Sequence, residues 1–152
     1  MKEICGDLIK LAMDGEFDVI IHGCNCQCQM GKGIALTIKK LFPDAYAADC
    51  ETEKSSKGKL GTYSFAEVEN SGHHFTIVNA YTQFHWRGTG VKADYEAIRK
   101  VMVAVKKQFT GLRIGYPLIG AGLAGGDWAR ISQIIDQELE GENHTLVRFV
   151  SG

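Results

Sequence analysis

The densest chemistry in this chain lies in fourteen residues, His22 to Ala35, written HGCNCQCQMGKGIA. Three thiols at alternate positions, Cys24, Cys26 and Cys28, could serve a soft metal, a nucleophile, or neither. A closed zinc site needs a fourth ligand and usually takes its cysteines in pairs two to four residues apart, so C-x-C-x-C fits it poorly. Five cysteines, an odd number, also spaced badly for a disulfide framework, point to reduced thiols packed beside a tight backbone. His22 titrates near neutrality when unperturbed and could move a proton, or it could be hydrogen-bonded into the core and merely orient the loop. Gly31 and Gly33 let the backbone turn and present N–H groups, which suits an anion.

A second stretch repeats that last property. Ile119 to Gly126, IGAGLAGG, follows an apolar run and leads into a helical pattern, as MGKGIA does. A helix N-terminus adds partial positive charge to exposed N–H groups, so each loop suits a phosphate and two facing loops suit a diphosphate. Neither matches the dinucleotide fingerprint or G-x-x-x-x-G-K-[ST], which excludes a Rossmann or P-loop enzyme.

The elements that must position these loops are legible along the chain. Lys2 to Cys5 reads as a strand, Asp7 to Met13 as a helical turn or two, and Phe17 to Gly23 as a buried strand. Ile34, Ile38 and Leu41 have helical spacing, Pro43 stops that helix and opens another through about Cys50, and Glu53 to Gly61 is a polar, basic loop. Thr62 to Val68 and Phe75 to Tyr81 form a hairpin about the turn at Asn70 to Gly72. After a loop through Gly90, the helix Asp94 to Phe109 carries Ile98, Val101, Met102, Val105 and Phe109 on one stripe. Strand Leu112 to Pro117, helix Asp127 to Leu139 and strand Thr145 to Val150 complete the series. Such alternation predicts a three-layer α/β/α domain spanning 1–152, with a mixed, largely parallel central sheet and its ligand site beyond the carboxyl ends of the strands.

Composition sets the outer limits. The 152 residues are 45% hydrophobic with a formal net charge of -1, so no global field draws the protein to nucleic acid or an anionic membrane. With no apolar run near the ~18 residues of a span and no secretory h-region, the expectation is a cytoplasmic protein.

The ordered set CGDLIK, HGCN with MGKGIALTIKKLFPDAY, IVNAYTQFHWR and YPLIGAGLAGGDW resembles the macro domain, an ADP-ribose-binding family, over nearly the whole chain. Two branches are similar: the DNA ADP-ribosyl glycohydrolase antitoxins and the ADP-ribose-1''-phosphate phosphatases. The resemblance implies an adenine site at Asp7 and Leu8, with Phe149 stacking on the base. It implies a distal-ribose contact at Asn25, a first phosphate loop at Gly31, Gly33 and Ile34, and a second at Gly120, Ala121, Gly122, Leu123, Ala124 and Gly125. His85, Trp86 and Arg87 would rim the distal ribose, with Arg87 able to meet a phosphate.

Catalysis would fall to His22, which stands in IIHGCN as in the phosphatases, and to Asp127, which is also placed to cap a helix. The glycohydrolases carry lysines where this chain has Gln83 and Phe84, one of them catalytic. Glutamine can neither form a Schiff base nor carry charge. The expected function is therefore ADP-ribose binding with hydrolysis of ADP-ribose-1''-phosphate. The alternatives are removal of ADP-ribose from protein or nucleic acid, and binding without catalysis. No metal or cofactor is required, and nucleic acid enters only as an ADP-ribosylated substrate. His73, His74, Lys54, Lys57 and Lys59 read as solvated turn and loop residues.

Overall fold

In the computed structural model, which describes residues 1–86 and 90–150, strands and helices alternate as the hydrophobic pattern predicts. The strands are β1 (Lys2–Gly6), β2 (Val19–Asn25), β3 (Tyr63–Asn70), β4 (His73–Gln83), β5 (Arg113–Tyr116) and β6 (Asn143–Phe149). The helices are α1 (Leu8–Met13), α2 (Gly33–Leu41), α3 (Pro43–Cys50), α4 (Tyr95–Phe109) and α5 (Trp128–Glu138). The strands form one six-stranded sheet in the order β1-β6-β5-β2-β4-β3. Every neighbouring pair is parallel except the β3–β4 hairpin. A mixed, mostly parallel sheet in a single α/β domain is thus observed.

The central strands are apolar on both faces because helices cover both. Val19 and Ile21 of β2 enter a core under α4 and α5, while Ile20 between them enters a second core under α1, α2 and α3. That period-2 division explains why VII reads as an unbroken apolar run. Helix α4 begins where Asp94 accepts a hydrogen bond from the Ala97 amide at 3.0 Å, and buries Ile98, Val101, Met102, Val105 and Phe109 on its predicted stripe. Pro43 occupies the first turn of α3, where its missing N–H costs nothing.

The polar loop 53–61 departs from expectation at one residue. Lys59 is 7% exposed rather than solvated. Its ammonium donates to the Cys26 carbonyl at 3.4 Å, lies 3.7 Å from Cys28 Sγ, and sits 4.3 Å from the Tyr81 ring centroid. His73 and His74, at the hairpin turn, are exposed. Among the described residues no helix is long and apolar enough to cross a membrane.

Candidate functional site

Beyond the carboxyl ends of β2, β4, β5 and β6 a cleft of about 700 Å³ opens. The first glycine-rich segment forms one wall. Lys32 is the N-cap residue of α2 but makes no side-chain cap, so the first amides of that helix keep no intrahelical partner. Gly33 holds φ at +59°, a left-handed conformation that costs glycine little. Gly31, Lys32, Gly33, Ile34 and Ala35 all line the cleft, which gives it an uncapped helix N-terminus suited to an anion.

The second segment forms the opposite wall, with Gly120, Gly122, Leu123 and Ala124 facing the cleft. Gly125 and Gly126 turn back through bonds from their amides to the carbonyls of Gly122 (3.1 Å) and Gly120 (2.7 Å). Among the described residues the amides of Gly122, Leu123 and Ala124 make no backbone bond. Leu123, 72% exposed, reaches across: its Cδ1 lies 3.8 Å from where a Cβ on Gly33 would stand. The two loops therefore close on each other over the middle of the cleft. Ala121 and Gly125 help shape the second loop without lining the cleft.

Sheet register fixes the two ends. Gly6 pairs with Phe149 across β1 and β6, so Asp7, just past β1, stands beside the exposed ring of Phe149 (73%), which lines the cleft. Asp7 caps α1 by accepting from the Lys10 amide at 3.1 Å, and Leu8 is buried in the core below. Neither Asp7 nor Leu8 is itself a lining residue; what the register brings together is the positions of Asp7 and Phe149 at one edge. The opposite end lies over β2 and β4, with Asn25, Gln29, Thr82, Gln83, Trp86 and Lys92.

Asn25 lines the cleft, yet much of its amide is already engaged. Its Oδ1 accepts from the amides of Gln27 (2.9 Å) and Gln29 (3.4 Å), and its Nδ2 donates to the Gln29 carbonyl at 2.9 Å. Asn25 thus shapes the first loop and keeps a second Nδ2 hydrogen for a ligand. Cys24 also lines the cleft. Cys24, Cys26, Met30 and Tyr81 form a small buried cluster, and the five cysteines are free. Among the described residues no group of three or more His, Cys, Asp or Glu is placed to hold a metal.

His22 does not line the cleft, and its surroundings are those of a buried core residue. It is 1% exposed, on the face of β2 opposite the neighbouring Gly23, which does line the cleft. Asn79 donates through Nδ2 to the Ala45 carbonyl and to Ser64 Oγ, both at 3.0 Å. Its Oδ1 is therefore the acceptor for His22 Nε2–H at 2.6 Å, which leaves Nδ1 without the proton. Burial pushes the imidazole down to about 4, against a smaller upward pull from the Asn79 bond, so the ring is neutral near pH 7.

Cys24, His22 and Asn79 share residue types with a Cys-His-Asn triad but not its geometry. Cys24 Sγ is nearly equidistant from Nδ1 (3.7 Å) and Nε2 (3.5 Å), off the Nδ1 lone-pair direction, and burial raises its thiol well above the usual range.

Asp127 is likewise a cap: it accepts from the Ala129 amide at 3.0 Å at the start of α5 and is not among the lining residues. Gln83 donates through Nε2 to the His85 carbonyl at 3.1 Å, and Trp86 stacks on His85 with centroids 4.2 Å apart. Arg87 lies outside the described residues. Residue-by-residue reading of the sequence missed Thr82 and Lys92. A threonine inside a strand and a lysine in a polar loop carry no local signal: the β4 register brings Thr82 to the cleft, and the bond of the Lys92 amide to Ala124 with the Ala93–Gln83 bridge brings Lys92.

Comparison with known proteins agrees with this architecture. An uncharacterized 17.5 kDa protein of Enterobacteria phage T4 is 36% identical over 141 residues, covering 90% of this chain and 88% of the relative. The DNA ADP-ribosyl glycohydrolase of Mycobacterium tuberculosis is 28% identical over 131 residues, covering 84% of this chain but only 35% of the relative, so this chain spans about a third of that protein. The solved structure of Thermosipho africanus DarTG in complex with ADP-ribose superposes with a TM-score of 0.70 at 18% identity, covering 91% of this chain and 39% of that one. Residues 21–135 match the Macro domain family over most of the chain, and the protein belongs to that family.

Proposed function

We propose that the cleft binds ADP-ribose, with adenine at the Asp7 and Phe149 edge, the diphosphate between the two glycine-rich loops, and the distal ribose over Asn25, Thr82 and Gln83. The observation that carries this reading is the pair of facing loops. One offers the uncapped amides of α2, the other the amides of Gly122 to Ala124, and Leu123 spans the gap to Gly33. Two sets of N–H donors converging from opposite walls suit two linked phosphates, and charge-assisted bonds of this kind are roughly twice as strong as neutral ones. One Asp7 oxygen caps α1. The other is left to accept from an exocyclic amine, which favours adenine over guanine.

Hydrolysis of ADP-ribose-1''-phosphate to ADP-ribose and phosphate is the activity this binding mode would serve. The observation that favours it is Lys92, a half-buried residue of the lining at the distal end, in a cleft whose described lining holds no carboxylate. Water would attack phosphorus in line with the C1'' oxygen, forming one P–O bond as the P–O bond to C1'' breaks and giving up a proton that ends on the departing C1'' oxygen; the chain's contribution would be orientation and stabilisation of phosphate charge. His22, neutral and outside the lining, acts in this reading as a positioning residue that holds β2 to β4 through Asn79. Removal of ADP-ribose from a macromolecule would use the same cleft, but Gln83 cannot supply an amine nucleophile there.

Calorimetry with ADP-ribose, ADP and GDP-ribose tests the binding mode: ADP-ribose should bind, and GDP-ribose should bind at least tenfold more weakly. Parallel assays of phosphate release from ADP-ribose-1''-phosphate, and of ADP-ribose release from modified DNA and modified protein, test the activity. Absence of phosphate release, with ADP-ribose bound, would leave a binder. Release of ADP-ribose from a macromolecule alone would replace the phosphatase reading.

A further inference from the structure

The distal end of the cleft gathers polar groups that lack an electron-rich partner. Among the described residues the Thr82 hydroxyl is buried with no hydrogen-bond partner, 2.8 Å from where a Cβ on Gly23 would stand, and Thr82 lines the cleft. Lys92 is half-buried in the lining, and among the described residues its ammonium has neither an ion pair nor a hydrogen bond. Hydroxyl and ammonium can both donate, and no carboxylate of the described lining answers them.

The backbone holds Lys92 at this end. Its amide donates to the Ala124 carbonyl at 2.7 Å, Ala93 bridges Gln83, and the Asp94 amide donates to the Thr82 carbonyl at 2.8 Å. Residues 92–94 are thus stitched to the last turn of β4 and to the second loop. In the strand order, β4 lies on the far side of β5 and β2 from the Phe149 edge. A ligand with its base at that edge and its diphosphate between the loops brings its distal ribose toward Lys92.

We infer that Lys92 holds a phosphate carried beyond the distal ribose and so sets which ADP-ribose derivative the cleft prefers. The inference rests on the ADP-ribose reading and adds to it the charge of the preferred substituent. Lysine presents a compact point charge, which meets a phosphate without demanding the planar geometry of a carboxylate–arginine pair. The phosphate can come from either of two sources, the 1''-phosphate of a free nucleotide or the backbone of an ADP-ribosylated oligonucleotide.

The test measures competition against a fluorescent ADP-ribose, on ice, for the full chain and for Lys92→Gln and Lys92→Arg. The competitors are ADP-ribose, ADP-ribose-1''-phosphate, and an ADP-ribosylated oligonucleotide beside its backbone-neutral analogue. The full chain should favour at least one phosphate-bearing ligand over its uncharged counterpart by about five- to tenfold, the scale of one partly solvated charge-assisted bond. In Lys92→Gln that preference should vanish while plain ADP-ribose changes less than twofold, and Lys92→Arg should keep most of it. Raising the salt should shrink the preference in the full chain, because a half-exposed pair is screened. Which ligand carries the preference identifies the source.

Equal weakening of all ligands in Lys92→Gln would place the lysine on the shared diphosphate and overturn the inference. So would the absence of any preference in the full chain. Failure of the full chain to bind ADP-ribose at all would instead overturn the proposed function, and this inference with it.

Discussion

Gly122→Val separates the ligand site from the fold more cleanly than any other substitution in the cleft. Gly122 lies on the second loop, its φ is not in the left-handed region, and a Cβ built there meets nothing within 4 Å. The first of the three added carbons therefore enters open cleft space, and the stability change should stay within about 0.5 kcal/mol. The same carbons stand beside the free amides of Gly122 and Leu123, where the diphosphate is proposed to sit. Losing two charge-assisted hydrogen bonds, at ~1.5–3 kcal/mol each, amounts to roughly 3–6 kcal/mol, or a hundredfold and more in affinity. Titration calorimetry with ADP-ribose, paired with thermal unfolding of the same samples, reads both quantities. A folded Gly122→Val variant that binds ADP-ribose as tightly as the parent would refute the placement of the phosphates between the loops.

Gly126→Ala should behave in the opposite way: its Cβ would meet the Gly120 carbonyl oxygen at 2.6 Å, so the loop must shift, and thermal unfolding should register a loss of about 1–3 kcal/mol. Asp7→Ser keeps an acceptor for the α1 cap but withdraws the carboxylate from the Phe149 edge. Unfolding should therefore change little, while calorimetry should find ADP-ribose affinity down about tenfold or more; unchanged affinity would rule out the adenine contact.

His22 yields a pH prediction. Its folded-state value is depressed to about 4, so below the ordinary 6.5 the unfolded chain takes up a proton that the folded chain refuses. Its contribution to stability is present above pH 6.5 and is lost as pH falls toward 4, a span worth about 3 kcal/mol. His22→Gln should flatten the fall in unfolding free energy between pH 7 and 4.5. A parent and variant with parallel profiles would show that the imidazole is not buried neutral.

Much of this protein is written locally in its residues. The i, i+3, i+4 stripe of α4, the Asp94 and Asp127 caps, Pro43 and the turn before β4 act over a few residues, so their consequences can be read without the fold. The two glycine-rich segments were equally legible as loops that leave a strand and open a helix. Their facing arrangement was not: it depends on β2 and β5 being neighbours in the sheet, a pairing between segments more than ninety residues apart.

Burial and partners were also decided in three dimensions. IIHGCN does not say which face of β2 His22 takes. Its ring bonds to Asn79, which in turn bonds to Ala45, while Gly23, Cys24 and Asn25 border the cleft. Lys59, in a loop that reads as solvated, is drawn inside by the Cys26 carbonyl and the Tyr81 ring. Lys92 becomes a cleft residue only because its amide reaches Ala124 and its neighbour bridges Gln83. Sequence periodicity carries the sign of each element's exposure, but which side chains meet is set by strand order and register, and those follow from the simultaneous burial of both faces of the sheet.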